Sequence, residues 1–250
     1  MDLGIRGRRA LVAAGSKGLG RGVAEALAAA GVDLVLNARG AEALEATAQA
    51  IRDRHQVQVV TVAADITTEA GRSAVLAQGD LDILVTNAGG PPPGLWSDWT
   101  RDDFLRAIDA NMLTPIALMQ GTLPGMIARG WGRVINITSQ SVKAPIPQLG
   151  LSNTARTGLT GFVAGTSRQV APFGVTINNL LPGIHDTDRA TVLDGSDPAV
   201  RTAREATIPA RRYGTPAEFG AMAAFLCSVH AGFIVGQNIL LDGGATNATI

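Results

Sequence analysis

The chain has 250 residues, of which 46% are hydrophobic, enough for one α/β domain with a sizeable buried core. Its 21 basic and 21 acidic residues balance to a formal net charge of zero. This balance, without any basic block, argues against nucleic-acid and anionic-membrane partners. The segment Met1 to Arg9 is charged rather than apolar, and no apolar run is long enough to span a bilayer. We therefore expect a cytoplasmic protein without a signal peptide.

Cysteine and histidine usage predicts neither a disulfide nor a metal site. The single cysteine, Cys227, has no partner in the chain and lies in an apolar segment, which favours a small buried hydrophobic residue over a nucleophile. The three histidines, His55, His185 and His230, are too scattered to give a metal-ligand spacing.

The first predicted element is a strand over Ala10–Ala14 that ends in a glycine-rich turn and continues as a helical pattern. Gly18 and Gly20 let the backbone approach a ligand closely, and the helix that they open presents free N–H groups and a positive dipole end to an anion. The same turn is also typical of a plain strand-to-helix corner, so a nucleotide site needs support from the rest of the chain.

Further apolar, β-branched runs alternate with segments of helical period along residues 1–250. They predict a single domain built on a doubly wound parallel sheet of Rossmann type, with helices on both faces. The other predicted strands are Leu34–Leu36, Val57–Val62, Ile83–Val85, Val134–Ile137, Val175–Leu180 and Ile239–Leu241.

Helix ends are indicated by small and capping residues. Gly31 and Gly174 stand where helices should stop, and either Thr67 or Thr68 caps the helix that follows Asp65. A stiff loop over 90–94, with three consecutive prolines, follows the fourth strand.

Over its whole length the chain resembles the short-chain dehydrogenase/reductase family, from the glycine turn to the segment 236–244. The turn is similar to the family's TGxxxGxG at Gly18 and Gly20, whereas Ala13 and Ala14 stand where threonine and the first glycine are usual. Members of the family assemble as dimers or tetramers, so the resemblance implies a homodimer or homotetramer acting on a small molecule.

The resemblance also implies a dinucleotide site along the carboxyl edge of the sheet. Asp65 resembles the family's adenine-contacting acid, the residues 87–89 resemble the end of its NNAG motif, and Thr187 resembles the residue that holds the nicotinamide carboxamide. Asp65 is equally typical of an acid that stabilises a helix dipole, and Asn87 of a side chain that braces the backbone. The predicted cofactor residues are Gly15, Ser16, Lys17, Gly18, Leu19, Gly20, Arg39, Asp65, Ile66, Asn87, Ala88, Gly89, Pro182, Gly183, Ile184 and Thr187.

Charge after the second strand favours NADP(H) over NAD(H). Ala38 occupies the position where NAD-preferring relatives carry a ribose-binding carboxylate, so no acid repels a 2′-phosphate there. Arg39 can fork onto that phosphate, and Lys17 adds a second cation in the glycine turn. The alternative is that both are ordinary solvated cations.

The catalytic residues depart from the family pattern. Ser139 matches the serine that polarises the substrate carbonyl, but Ser152 replaces the family's tyrosine and Arg156 replaces its lysine. An aliphatic hydroxyl is a far weaker acid than a phenol, and a guanidinium does not readily release a proton, although Arg156 could hold ribose hydroxyls as the lysine does. The chain's only tyrosine, Tyr213, lies in another segment. A new proton donor is therefore needed.

Three further residues are candidates for this relay. Asn111 matches the family's relay asparagine, with backbone bracing as the alternative. Lys143 and His185 lie near enough in sequence to reach the site, and for each the alternative is a solvated or loop-bracing side chain. The predicted catalytic set is Ser139, Ser152, Arg156, Asn111 and Lys143.

The predicted activity is hydride transfer between NADP(H) and a small carbonyl, enone or imine substrate. Two alternatives stay open: a nucleotide-binding sensor or partner subunit that has lost the chemistry, and a lyase, dehydratase or isomerase that reuses the pocket. We expect a substrate lid within 184–212. Trp96 and Trp99 contribute either to an apolar lid or subunit contact, or simply to packing of the next helix.

Overall fold

Seven parallel strands form one sheet in the order β3-β2-β1-β4-β5-β6-β7, in a computed structural model that describes residues 1–195 and 197–248. The order reverses between β1 and β4, which is where open α/β sheets bind their ligands. This topology confirms the predicted doubly wound sheet. The strands are β1 Arg9–Ala13, β2 Asp33–Ala38, β3 Val59–Ala63, β4 Ile83–Thr86, β5 Gly132–Ile137, β6 Val175–Pro182 and β7 Asn238–Leu241.

Most of the strands are followed by a helix that leads to the next strand of the chain. A π-helical segment, Asp109–Leu113, joins the fourth and fifth helices, and short helical turns occur at Gln140–Val142 and Pro147–Leu149. No helix among residues 1–195 and 197–248 is long and apolar enough to cross a membrane. The helices are α1 Gly18–Ala29, α2 Ala41–Arg54, α3 Glu69–Leu76, α4 Arg101–Ile108, α5 Thr114–Ala128, α6 Gly150–Val170, α7 Asp188–Asp194, α8 Pro198–Thr207 and α9 Pro216–Cys227.

Two apolar clusters cover the two faces of the sheet. Helices α1, α2 and α9 pack on one face, where Leu36 and Phe219 are fully buried. Helices α3, α5 and α6 pack on the other, around Leu84 and Leu118. Since side chains of a strand alternate between the faces, both clusters draw on the same strands. Cys227 is buried in the first cluster, as its apolar neighbours predicted, and burial raises the pKa of its thiol to about 12.

The predicted strand boundaries differ from the observed ones by no more than two residues, and two of the predicted strands run past an observed end. Ala14 lies outside β1 because the chain turns there, with a φ of 49°. Strand β3 begins at Val59 rather than Val57, since the amide of Val57 closes a tight turn onto the carbonyl of His55.

The predicted helix ends agree with the structure. Gly31 and Gly174 adopt left-handed conformations with φ values of 81° and 73° where α1 and the turn after α6 end. Of the two threonines that could cap α3, Thr68 does so by accepting a hydrogen bond from Gly71 N, while Thr67 bonds Asp65.

Close packing between α1 and α9 fixes the helix that follows the glycine turn. A Cβ on Gly22 would overlap the carbonyl of Pro216, and a Cβ on Gly220 would overlap the carbonyl of Gly22. The two helices therefore touch backbone to backbone, which only glycine allows at these points. The start of α9 is held by a capping box between Thr215 and Glu218.

Candidate functional site

The glycine turn between β1 and α1 is shaped to receive an anion. Gly18 has a φ of 53°, and a Cβ on Gly20 would overlap the carbonyl of Ala14 and lie 3.0 Å from Nδ2 of Asn87. Lys17 is the N-cap residue of α1, and its side chain forms no capping hydrogen bond. The N–H groups of the first helical turn are therefore not capped by this side chain and are suited to bind an anion. The turn keeps its tight form although alanine replaces the usual first glycine, because Ala14 itself adopts a positive φ of 49°. These features fit the diphosphate of a dinucleotide.

Arg39 and Asp65 lie farther along the carboxyl edge of the sheet, after β2 and β3. The Asp65 carboxylate accepts hydrogen bonds from the hydroxyl and the amide of Thr67, at 2.8 and 3.0 Å. These bonds, followed by the nearby charge of Arg39, lower the pKa of Asp65. Arg39 is exposed and therefore accessible to a ligand.

The segment after β6 folds over the glycine turn. The methyl group of Thr187 lies 3.4 Å from the position of a Cβ on Gly18, and its hydroxyl caps α7 by accepting from Ala190 N. Lys17 pairs with Asp188 at 3.6 Å, with both side chains mostly exposed. Such a pair is weak, so a bound phosphate can replace it. The structure thus brings the two halves of the predicted cofactor site together.

Arg156 is buried at the centre of the predicted catalytic group, with 7% of its surface exposed. Its Nη1 donates to the carbonyls of Ile137 and Thr138, at 2.8 and 2.9 Å, and its Nε donates to Oγ of Ser152 at 3.2 Å. Burial, with a smaller effect of Arg189, lowers the pKa of Arg156 to about 10. The guanidinium therefore braces the end of β5 with Nη1 and supports Ser152 with Nε.

Ser139 lies next to the carbonyl of Thr138 that Arg156 holds. Its Oγ accepts a hydrogen bond from Ser141 N at 3.1 Å, which leaves its own hydrogen available to a ligand. Arg156 thus joins Ser152 to the backbone directly before Ser139.

The other relay candidates occupy different surroundings. Asn111 lies in the π-helical segment packed against α6; its Nδ2 donates to the carbonyl of Ala107, and its buried Oδ1 has no partner among the described residues. Lys143 is exposed on the loop after β5.

His185 and Tyr213 point away from this group. The His185 ring packs edge-on against Phe219 at 5.3 Å, and burial lowers its pKa, which fits the loop-bracing alternative. The Tyr213 hydroxyl donates to Asp194 within a small apolar cluster that includes Ile184.

Near the proline loop, only one tryptophan is packed. Trp99 contacts the start of α6 at Gly150 and lies edge-on to Phe104 of α4, whereas Trp96 is 87% exposed.

A largely buried ladder of polar side chains, which sequence reasoning missed, runs across the four strands β4 to β7. The hydroxyl of Thr86 donates to Asn136, whose amide donates to Asn179, whose amide in turn donates to Asn238, at 2.7, 3.1 and 2.8 Å. The four residues occupy paired positions in the sheet. The available signal was the presence of asparagines within otherwise apolar strands.

The sequence matches a known family and its members over nearly its whole length. The family model described as "Enoyl-(Acyl carrier protein) reductase" covers residues 13–246. The 3-oxoacyl-(acyl-carrier-protein) reductase FabG of Vibrio cholerae is 31% identical over 97% of this chain and 98% of its own length.

Two solved structures share the whole fold. L-sorbose reductase from Gluconobacter frateurii, complexed with NADPH and L-sorbose, superposes with a TM-score of 0.94 at 27% identity, covering 99% of this chain and 100% of that one. A 3-oxoacyl-(acyl-carrier-protein) reductase from Agrobacterium tumefaciens C58 with NADP bound gives 0.92 at 29% identity, covering 97% and 96%. With its glycine turn, sheet order and serine after β5, the chain belongs to the short-chain dehydrogenase/reductase family of oxidoreductases.

Proposed function

We propose that this protein is an NADP(H)-dependent oxidoreductase that reduces a small carbonyl, enone or imine substrate without the family's tyrosine and lysine. The observation that carries this proposal is the assembled cofactor edge. The glycine cradle at Gly20, the exposed Arg39 and the covering Thr187 line one continuous edge of the sheet. NADPH or NADP in the related structures supports the choice of cofactor.

Each part of the edge has its own contribution to holding the dinucleotide. The first turn of α1 receives the diphosphate, Arg39 the 2′-phosphate, and Thr187 the nicotinamide end. When bound, NADPH supplies the hydride for reduction of the substrate.

Two hydroxyl groups are arranged to stabilise the substrate oxygen as it gains negative charge. Ser139 and Ser152 each accept one hydrogen bond from the protein, at 3.1 and 3.2 Å, so each keeps its own hydrogen to donate. Arg156 adds a positive charge directly behind Ser152. Hydrogen-bond donors and charge fixed in advance at such a point stabilise a developing oxyanion strongly.

Neither serine readily gives up its proton, since an aliphatic hydroxyl is a much weaker acid than a phenol. A serine at position 152 is also far shorter than the family's tyrosine, so it leaves room for water. We infer that the proton that completes the alcohol comes from solvent at this point. Substrates that need less acid assistance, such as an iminium or an activated enone, suit this arrangement best.

The cofactor proposal is tested by fluorescence titration of the protein with NADPH and, separately, with NADH. We expect tighter binding of NADPH, and a loss of about tenfold in Arg39→Gln because a charge-assisted phosphate contact is removed. Arg168→Gln, which removes an exposed arginine on α6, is the matched control and should bind as the parent does. Failure of both nucleotides to bind would overturn the proposal in favour of a cofactor-free role.

The chemistry is tested by following NADPH oxidation with carbonyl, enone and imine panels. We expect Ser139→Ala to lower kcat by about 100-fold, the effect of losing one oxyanion donor. Turnover that never consumes reduced cofactor would point instead to a lyase or isomerase. Cofactor binding without any turnover would favour a sensor.

A further inference from the structure

Arg156 is a buried cation whose charge no acidic side chain neutralises. Its three hydrogen-bond partners are two backbone carbonyls and the Ser152 hydroxyl, all of them uncharged. Within residues 1–195 and 197–248 it forms no ion pair, and its Nη2 has no hydrogen-bond partner. A buried charge without a counterion is costly, so this guanidinium is ready to receive an anion.

Arg189, which is exposed near the start of α7, is a second arginine in the same region. Its Nη1 donates to the carbonyl of Gly90 at 3.2 Å, and its guanidinium lies about 3 Å from where a Cβ of Gly90 would stand. The two acids beside it in sequence are engaged elsewhere: Asp186 pairs with Arg201, and Asp188 pairs with Lys17. Arg189 itself forms no ion pair with the part of the chain that the structure describes.

The two arginines hold backbone carbonyls that follow neighbouring strands at the carboxyl edge of the sheet. Gly90 follows β4 and Thr138 follows β5, and these two strands are paired neighbours. The charge of Arg189 also contributes to the lowered pKa of Arg156, as expected for two cations within electrostatic reach. Two like charges within electrostatic reach repel each other, and an anion bound between them would relieve this repulsion.

We propose that the substrate carries a carboxylate close to its reacting carbonyl, and that this carboxylate lies between the guanidinium groups of Arg156 and Arg189. This inference rests on the proposed function and narrows its substrate class to a short oxo acid. Nη2 of Arg156, which has no partner among the described residues, and the guanidinium of Arg189 can each donate a charge-assisted hydrogen bond to a carboxylate oxygen. Since Arg156 supports Ser152, a carboxylate held there places the neighbouring carbonyl beside the hydroxyls of Ser152 and Ser139.

Binding is measured first, because it does not depend on turnover. The complex of the protein with NADPH is titrated with malonate and with its uncharged counterpart, malonamide, following NADPH fluorescence. We expect malonate to bind at least tenfold more tightly, and this preference to disappear in Arg189→Gln. Arg189→Lys should retain part of it, and Arg168→Gln all of it. Equal binding of the two probes, or binding of neither, would overturn the proposal.

Kinetics then compare an oxo acid with its ester, which has the same reacting carbonyl. The pairs are pyruvate with methyl pyruvate and acetoacetate with methyl acetoacetate. We expect kcat/KM to favour the acid, and Arg189→Gln to lower kcat/KM about tenfold for the acid while changing it little for the ester. Faster reduction of the esters than of the acids would contradict the proposal while leaving the reductase function intact.

The diphosphate of NADPH also carries anionic oxygens that Arg189 could bind. The Arg189→Gln variant distinguishes this role from binding of a substrate carboxylate. If Arg189 serves the diphosphate of NADPH, this variant raises the Kd for NADPH and leaves the malonate preference unchanged, which overturns the inference. If NADPH does not bind to the parent protein at all, the proposed function itself has failed.

Discussion

Nε of Arg156 donates to Oγ of Ser152 at 3.2 Å, so the two residues that we propose to stand in place of the family's catalytic pair are bonded to each other. They are four residues apart in α6 and therefore share one face of that helix. Nη1 of the same guanidinium holds the carbonyls of Ile137 and Thr138. The replacement therefore serves the framework of the site as well as its charge.

This arrangement predicts a structural cost for removing the guanidinium. Arg156→Met should lower the free energy of unfolding by about 2 kcal/mol, because two buried carbonyls and a hydroxyl lose their donors while the cost of burying a charge is relieved. Urea unfolding measures this change, with Arg156→Lys as the variant that keeps the charge but not the fork. Equal stability of Arg156→Met and the parent would contradict this prediction and show that relief of the buried charge fully offsets the lost hydrogen bonds.

The sequence predicts that Ser152 and Arg156 lie side by side but not where the guanidinium points. Their spacing in a helix determines the shared face, whereas the direction of a long, flexible side chain depends on carbonyls contributed by β5. His185 is a similar case, since the partner that draws its ring inward, Phe219, lies on α9. The glycine turn was predictable because local geometry imposes glycine at both positions: Gly18 has a positive φ, and a Cβ on Gly20 would overlap the carbonyl of Ala14. Local rules thus predict the cofactor edge, while long-range contacts decide the catalytic centre.

The polar ladder predicts strong coupling between Thr86 and Asn136. Asn136→Ala should lower the free energy of unfolding by about 2 kcal/mol, because it leaves the Thr86 hydroxyl and the side-chain Oδ1 of Asn179 buried without partners. Thr86→Val removes the same bond from its other side. The double variant should therefore lose less than the sum of the two single variants, with a difference of about 1 kcal/mol in a double-mutant cycle. Strict additivity would mean that the ladder is not a connected unit.

The close contact between α1 and α9 predicts that a substitution at Gly22, outside the proposed cofactor site, strongly lowers the stability of the fold. Gly22→Ala should lower the free energy of unfolding by about 3 kcal/mol, since the new Cβ would meet the backbone of Pro216. It should also weaken NADPH binding, because α1 must move and carries the glycine turn with it. Gly40→Ala is the control: a Cβ there has no neighbour within 4 Å, and we expect a change below about 0.5 kcal/mol. Thermal unfolding and NADPH titration of both variants check this prediction.

The capping box of α9 predicts that Glu218 stabilises the folded state in a pH-dependent way. Hydrogen bonds from Arg212, then from the Thr215 amide, lower the pKa of this carboxyl from 4.5 to about 2. Because the folded state lowers the pKa, the ionised carboxylate stabilises the fold above pH 4.5, and this contribution is lost as the pH falls towards 2. Glu218→Gln keeps a side chain that can complete a capping box but removes the charge.

We therefore expect Glu218→Gln to have a lower Tm than the parent at pH 7 and the difference to shrink steadily below pH 4.5. Added salt should also reduce the difference, since the pair is exposed and screened by ions. Thermal unfolding across this pH range measures both effects, with Glu205→Gln on α8 as a control for loss of a partly exposed carboxylate paired with arginine. A difference that persists unchanged at pH 2 would show that Glu218 acts through the shape of its side chain rather than through its charge.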